Sequence, residues 1–120
     1  MIKYQGKITS IGPLVNEFLD ARILVLFGED APEELREFSI LHDGQHLIQN
    51  VEVGDWFCLN DQRYRILAVG EVANKNLGNL GHLILKFNGS VKPEMPGDVC
   101  LEAKPIPEIQ EGMHFSIITK

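Results

Sequence analysis

Apolar residues come in short runs separated by Gly, Pro, Asn and Asp, and most of these runs have the length and composition of strands rather than helices. ARILVLF, Ala21 to Phe27, is rich in Leu and β-branched residues and stops at Gly28, which predicts a buried strand. VGDWFCL (Val53 to Leu59), PGDVCL (Pro96 to Leu101) and EGMHFSI (Glu111 to Ile117) share one device, a glycine at a turn followed by an apolar entry into a core. Their unequal spacing makes them barrel corners and not a sequence repeat. Asn60-Asp61 joins the first of them to RYRILAVG as a hairpin, and HLILKF is a further strand ended by Asn88-Gly89. FSIL, Asp43-Gly44 and HLIQ, within Phe38 to Gln49, carry the strongest two-residue hairpin signal in the chain.

Helical patterning is sparse. Leu14, Val15, Phe18 and Leu19 have helical spacing behind Pro13, and GEDAPEELREF offers Asp30 as an N-cap, Pro32 in the first turn, and Glu33 and Glu34 at the positive end of the dipole. NKNLGNLGH reads as a Gly/Asn-rich loop or a broken helical turn, and KPIPEIQEG, with two prolines, as an extended edge leading into a last strand. The pattern predicts an all-β fold, a small closed or nearly closed β-barrel with one or two short helices, formed by residues 1–120 as a single domain.

Composition narrows the functional classes. A chain of 120 residues with 44% apolar and 23% charged positions can bury a single core, and no run approaches the roughly 18 apolar residues of a membrane span. The N-terminus lacks the apolar stretch of a secretory signal, so the cytoplasm is the expected compartment. A net charge of −6 without a Lys/Arg cluster argues against nucleic acid as a partner. Cys58 and Cys100 sit in strand-like apolar runs without a CxxC or Cys/His spacing, as buried free thiols would.

The common catalytic templates are missing: there is no GxxxxGK[ST], GxGxxG or GxSxG, and LGNLGH only superficially resembles a phosphate loop. Four histidines remain, and an imidazole that titrates near pH 6.5 can serve as nucleophile, base or metal ligand. His42 comes after FSIL and directly before Asp43-Gly44, a place where its ring would project from the strand end. A polar turn residue is the simpler account of it on composition alone. His46 reads as an exposed hairpin residue, His82 as a strand opening beside a Gly-rich loop where ligands often bind, and His114 as an outward-facing residue of the last strand. Zinc held by His42, His46 and Asp43 would lack the HxH or HExxH spacing that fixes such geometry, and no metal is expected.

ITSIGPLV, LVLFGEDAPEELREFSILH, YRILAVGEVANKNLGNLGHLILKFNG and PEMPGDVCLE occur in that order along nearly the whole chain. In these blocks, most specifically AVG…A.NL..LGH…L.F.G, the chain resembles the glucitol/sorbitol-specific enzyme IIA component of the phosphoenolpyruvate-dependent sugar phosphotransferase system, a small cytoplasmic protein of bacterial sugar uptake. The resemblance implies a small closed β-barrel and one phosphorylated histidine at the end of the apolar run, here His42 in SILH. It also suggests His82, in LGHLILKF, as a neighbour that donates to the phosphoryl oxygens. With Asp43-Gly44-Gln45-His46 the chain departs from relatives that carry a second histidine close behind, so His46 inherits no role.

By the same resemblance, the general phosphocarrier HPr donates to one nitrogen of His42, expected to be the one far from the backbone, and the group then passes to a cysteine of the cognate enzyme IIB of the glucitol/sorbitol permease (IIB/IIC). Backbone N–H groups of Asp43-Gly44, or of Asn79-Leu80-Gly81, would form the anion nest, with no cofactor required. An apolar docking surface around His42 is expected, to which Ile40 and Leu41 could contribute, and the acidic balance suits a basic patch on HPr. The alternative of another class is a non-catalytic β-barrel binding or regulatory module linked to sugar uptake.

Overall fold

The computed structural model describes Met1 to Lys120. Eight strands close into a barrel in the order β1-β3-β2-β6-β7-β5-β4-β8, and three short helices lie between them. The strands are β1 (Ile2–Ile11), β2 (Ile23–Gly28), β3 (Ser39–His42), β4 (Trp56–Leu59), β5 (Gln62–Val69), β6 (Leu83–Lys86), β7 (Asp98–Leu101) and β8 (His114–Ile118). The helices are α1 (Val15–Asp20), α2 (Glu33–Arg36) and α3 (Ala73–Leu80). Closure leaves no unpaired sheet edge, and the alternating apolar positions point into one core. That core holds Tyr4, Phe57, Tyr64, Phe87 and Phe115 together with Leu24, Leu26, Ile40 and Ile66. No helix is long and apolar enough to cross a membrane.

The hairpin expected at Asn60-Asp61 is present, with Leu59 opposite Gln62, and Asn60 takes the left-handed backbone (φ 50°) that Asn tolerates better than most residues. The hairpin expected at Asp43-Gly44 is not. β3 already pairs antiparallel with β1 and parallel with β2, so neither of its edges is free to receive HLIQ as a strand. The chain instead continues along β1 without a ladder: Asp43 N–H donates to the Lys7 carbonyl (3.2 Å), Lys7 N–H to Asp43 Oδ1 (2.7 Å), and Ile48 N–H to the Lys3 carbonyl (2.9 Å). Gly44 is required there by close approach, since a Cβ would come within 2.7 Å of both the Gln5 carbonyl oxygen and Tyr4 Cε1.

The third helix falls on the segment read as a loop or broken turn. Asn and Gly are poor helix formers, but Ala73 and Leu77, one turn apart, are both buried, and burial of that stripe overrides propensity. Asn74 is tied down as well, its side chain accepting from Val51 N–H (2.7 Å) and donating to the Val51 carbonyl (3.0 Å). Gly81 ends the helix in the left-handed conformation (φ 64°), with its N–H on the Leu77 carbonyl (3.0 Å). Both cysteines are free, as expected; Cys100 is buried and Cys58 partly so.

Candidate functional site

His42 is the last residue of β3 and only 1% exposed. Strand alternation puts it on the same face as Ile40, inside the barrel end, and not projecting outward from a turn as the local pattern implied. Tyr4 and Phe115 meet its ring at their edges or faces, with centroids 5.9 and 4.9 Å away and interplanar angles of 86° and 78°. Ile40 (0%) and Leu41 (5%) are buried, the former in the core and the latter beside Phe27 and Ala31, so neither contributes to a docking surface. Leu80, half exposed beside the site, is the apolar residue available there.

The ring nitrogens have backbone partners whose roles admit no choice. Gly44 N–H can only donate, and it lies 3.0 Å from Nδ1; the Gly81 carbonyl can only accept, and it lies 2.7 Å from Nε2. The imidazole is therefore neutral, with its hydrogen on Nε2 and its lone pair on Nδ1. Gly81 makes this possible by being glycine at positive φ: a Cβ there would fall 2.9 Å from His42 Cε1 and 3.0 Å from Nε2. Nothing in the sequence pattern marks Tyr4 or Phe115 as neighbours of His42, because strands distant in sequence bring them there; Gly81 is expected near it, but it meets the ring through its carbonyl and not its N–H.

The ring borders a cavity of about 270 Å³ whose walls include Glu29, Asp30, Asp43, Gln45, Asn79 and Leu80. Three of the lining residues are acidic, and none is lysine or arginine. The N–H groups expected to form an anion nest are engaged elsewhere: Asp43 N–H on the Lys7 carbonyl, Gly44 N–H on the ring, Gly81 N–H on the Leu77 carbonyl. α3 also turns its carbonyl end toward His42, which favours positive charge on the ring and not an anion beside Nε2. The site as folded thus orients an imidazole and does not supply a prebuilt phosphate cradle.

His82 is not brought into this cavity. Its side chain points to the outer face of the barrel, where Nδ1 donates to the Leu26 carbonyl (3.0 Å) and the ring stacks on Phe27 at 4.5 Å. There it lines a separate apolar cavity of about 300 Å³ with Phe18, Ile23, Val25, Phe38 and Ile84. Gly81 and His82 are adjacent in sequence, yet the one touches His42 with its carbonyl while the other sends its ring away. The arrangement does not meet the expectation that His82 donates to groups on His42. His46 and His114 are exposed, and no group of three or more His, Cys, Asp and Glu side chains is gathered as a metal would require.

Burial pushes the His42 pKa below the usual imidazole value, outweighing the Gly81 carbonyl and the Asp43 and Glu29 carboxylates, which raise it. The neutral ring consequently persists at physiological pH. In the unfolded chain the same histidine titrates near pH 6.5, so below about that pH the unfolded state binds a proton that the folded state resists, and stability falls as pH falls until the folded ring also protonates. Chemical denaturation of wild type and His42→Gln over a pH series checks this. The wild type should lose stability relative to the variant on acidification below about pH 6.5; a difference that stays flat or grows in the opposite direction contradicts it.

The family model described as the PTS system glucitol/sorbitol-specific IIA component matches residues 3–116. The chain is 39% identical over 105 residues to the PTS system glucitol/sorbitol-specific EIIA components of Shigella flexneri and of Escherichia coli (strain K12), covering 88% of this chain and 85% of each relative. The crystal structure of the PTS system IIA component from Enterococcus faecalis V583 has the same fold, with a TM-score of 0.82 over 96% of this chain and 99% of that one at 24% identity. Matched over most of its length by that family and by these relatives, the chain belongs to the glucitol/sorbitol-specific IIA components of the sugar phosphotransferase system, phosphocarriers of sugar transport.

Proposed function

We propose that this chain accepts a phosphoryl group from the phosphohistidine of HPr on His42 and passes it to a cysteine of the cognate enzyme IIB during glucitol/sorbitol uptake in the cytoplasm. The observation that carries this is the state of His42: a neutral, depressed-pKa imidazole held in one tautomer by two backbone partners beside an open cavity. A nucleophile in a phosphoryl exchange needs a lone pair in a defined direction, and transfer through a loose transition state depends mainly on positioning and charge stabilisation. Neither a nucleotide nor a metal takes part in such an exchange between histidines.

The charge stabilisation comes from the partner. Glu29, Asp30 and Asp43 around the cavity attract a basic surface and steer its approach, while the absence of a lysine or arginine in the lining leaves the cation on the phosphoryl oxygens to be supplied by the donor. The exposed Leu80 gives a small apolar contact of the sort a transient carrier complex uses. Incubation with phosphoenolpyruvate, enzyme I and HPr should add a single acid-labile, base-stable phosphoryl group to each chain, measured by intact mass. A folded chain that stays unlabelled beside fully phosphorylated HPr overturns the proposal in favour of a non-catalytic binding or regulatory barrel.

A further inference from the structure

We propose that the Tyr4 hydroxyl is the group of this chain that donates a hydrogen bond to a phosphoryl oxygen on His42, which makes Tyr4 a catalytic residue of the exchange. This rests on His42 being the phosphoacceptor and adds the residue that holds the group once the partner has left.

The lining of the His42 cavity offers few donors. It has no lysine or arginine, and the N–H groups of Asp43, Gly44 and Gly81 are engaged. Besides His42 itself, its side-chain donors are the amides of Gln45 and Asn79 and the hydroxyl of Tyr4. Gln45 and Asn79 are exposed, and ordering them on a bound group costs rotamer freedom. Tyr4 is 2% exposed and already fixed. Phe115 stacks on its ring with centroids 6.1 Å apart, and Gly44 crosses its edge so closely that a Cβ would lie 2.7 Å from Cε1. The same ring meets that of His42 edge to face, with centroids 5.9 Å apart.

The hydroxyl is otherwise unused. A buried tyrosine normally pairs its O–H, as Tyr64 does with the Pro105 carbonyl (2.7 Å). The Tyr4 hydroxyl makes no hydrogen bond, and it is not sealed in, because Asp98 Oδ1 is the one side-chain oxygen or nitrogen that is both fully buried and without a partner. A fixed donor therefore opens on accessible space in the residue that walls the His42 cavity. Burial, and after it the Asp43 carboxylate, raise the Tyr4 pKa above the usual phenol value, so the oxygen keeps its proton at neutral pH. Being neutral, the hydroxyl stands among Glu29, Asp30 and Asp43 without the ion pair that a lysine would form with them.

In the exchange, a ring lone pair of His42 forms the new N–P bond as the N–P bond of the donor phosphohistidine breaks, and that bond's electron pair returns to the donor ring. Tyr4 donates a hydrogen bond and keeps its proton. The cation supplied by the donor departs with it, whereas the Tyr4 hydroxyl stays on the phosphoryl oxygen. Its effect accordingly falls on the phosphorylated chain and on the transition state that leads to it.

Tyr4→Phe removes the oxygen and leaves the ring contacts with His42 and Phe115 in place. Mixed with phospho-HPr and followed by intact mass to equilibrium, the variant should hold phosphate about tenfold less well relative to HPr than wild type does, the effect of one lost hydrogen bond to a charged group. Its denaturant midpoint should be unchanged, since the hydroxyl has no partner in the folded chain. Wild type with ¹³C-tyrosine should show the Tyr4 Cζ resonance displaced on phosphorylation and that of Tyr64 unmoved. An unchanged equilibrium, whatever the resonance does, overturns the inference while leaving His42 as acceptor. A variant that loses stability along with acceptance makes the hydroxyl structural and overturns it as well. Phosphate on another residue of the wild type, or on none, overturns the inference and the underlying function together.

Discussion

A chain carrying His42→Gln should take up no phosphoryl group from HPr, at any incubation time, while keeping its barrel. The loss is expected to be total because a covalent intermediate has no second route: no other imidazole borders the cavity beside His42. Gln is the informative replacement. Its amide can still donate to the Gly81 carbonyl, whereas His42→Ala leaves that buried acceptor, at 2.7 Å from Nε2 in the wild type, without a partner and removes the ring between Tyr4 and Phe115. The alanine variant should therefore be unlabelled and also less stable, by about 2–4 kcal/mol for the lost ring and the stranded carbonyl. His46→Ala and His114→Ala, both on exposed side chains, should be labelled as wild type. His82→Ala removes a ring packed on Phe27 outside the cavity and should also accept phosphate. Intact mass after incubation with the phosphorylating components decides each case. A labelled His42→Gln chain places the acceptor elsewhere, and a folded but unlabelled His82→Ala chain restores His82 to the transfer.

The largest change in stability is expected from Asp55→Ala. Asp55 is 0% exposed and Lys3 1%, and their charged atoms meet at 2.7 Å. Lys3 Nζ donates further to the Asn50 carbonyl (2.9 Å) and to Glu52 (3.2 Å). Asp55 accepts from Glu52 N–H (2.8 Å) and Lys120 N–H (3.2 Å). Burial alone would raise the Asp55 pKa, but Lys3 and these two N–H groups outweigh it and hold the carboxyl below its ordinary range. Its contribution is accordingly present at neutral pH and is lost as pH falls through that depressed value.

Removing the carboxylate leaves an ammonium buried with a carbonyl and the mostly exposed Glu52, at a cost of about 3–5 kcal/mol out of the 5–15 typical of a domain. Lys3→Met combined with Asp55→Ala should be less destabilised than the sum of the single changes, because neither charge is then left alone. Denaturant midpoints of the four proteins measure the coupling, and strictly additive effects would mean that the pair is not a unit. The phosphoryl acceptance of any variant that remains folded should be unchanged, since neither residue borders the His42 cavity.

The strand content of this protein was legible from local pattern because a half-buried strand announces itself by alternation and by the turn residues at its ends. β2, the β4–β5 hairpin, β6, β7 and β8 all lie on runs readable in this way. So were α1 and α2, from apolar spacing and an acidic first turn. The family, and with it the histidine expected to carry the phosphoryl group, was legible from blocks of residues running nearly end to end, and the comparisons with known proteins support that family.

Long-range pairing decided the rest. Asp43-Gly44 has the local chemistry of a hairpin turn, but β1 and β2 occupy both edges of β3, and no local signal reports that an edge is taken. α3 forms on Asn- and Gly-rich sequence because Ala73, Leu77 and Asn74 find partners in the rest of the molecule. His82 is parted from His42 by strand alternation between the inner and outer faces of one barrel. The buried Lys3–Asp55 pair joins residues 52 positions apart. By itself the sequence determined that this chain folds as a β-barrel of the IIA type and that His42 is the residue to examine. Only closure of the barrel decided that its ring lies inward, between the Gly44 N–H and the Gly81 carbonyl, with one nitrogen protonated and the other carrying the lone pair. Hydrogen-bond partners separated by 39 positions are set by topology, and local residue patterns do not encode them.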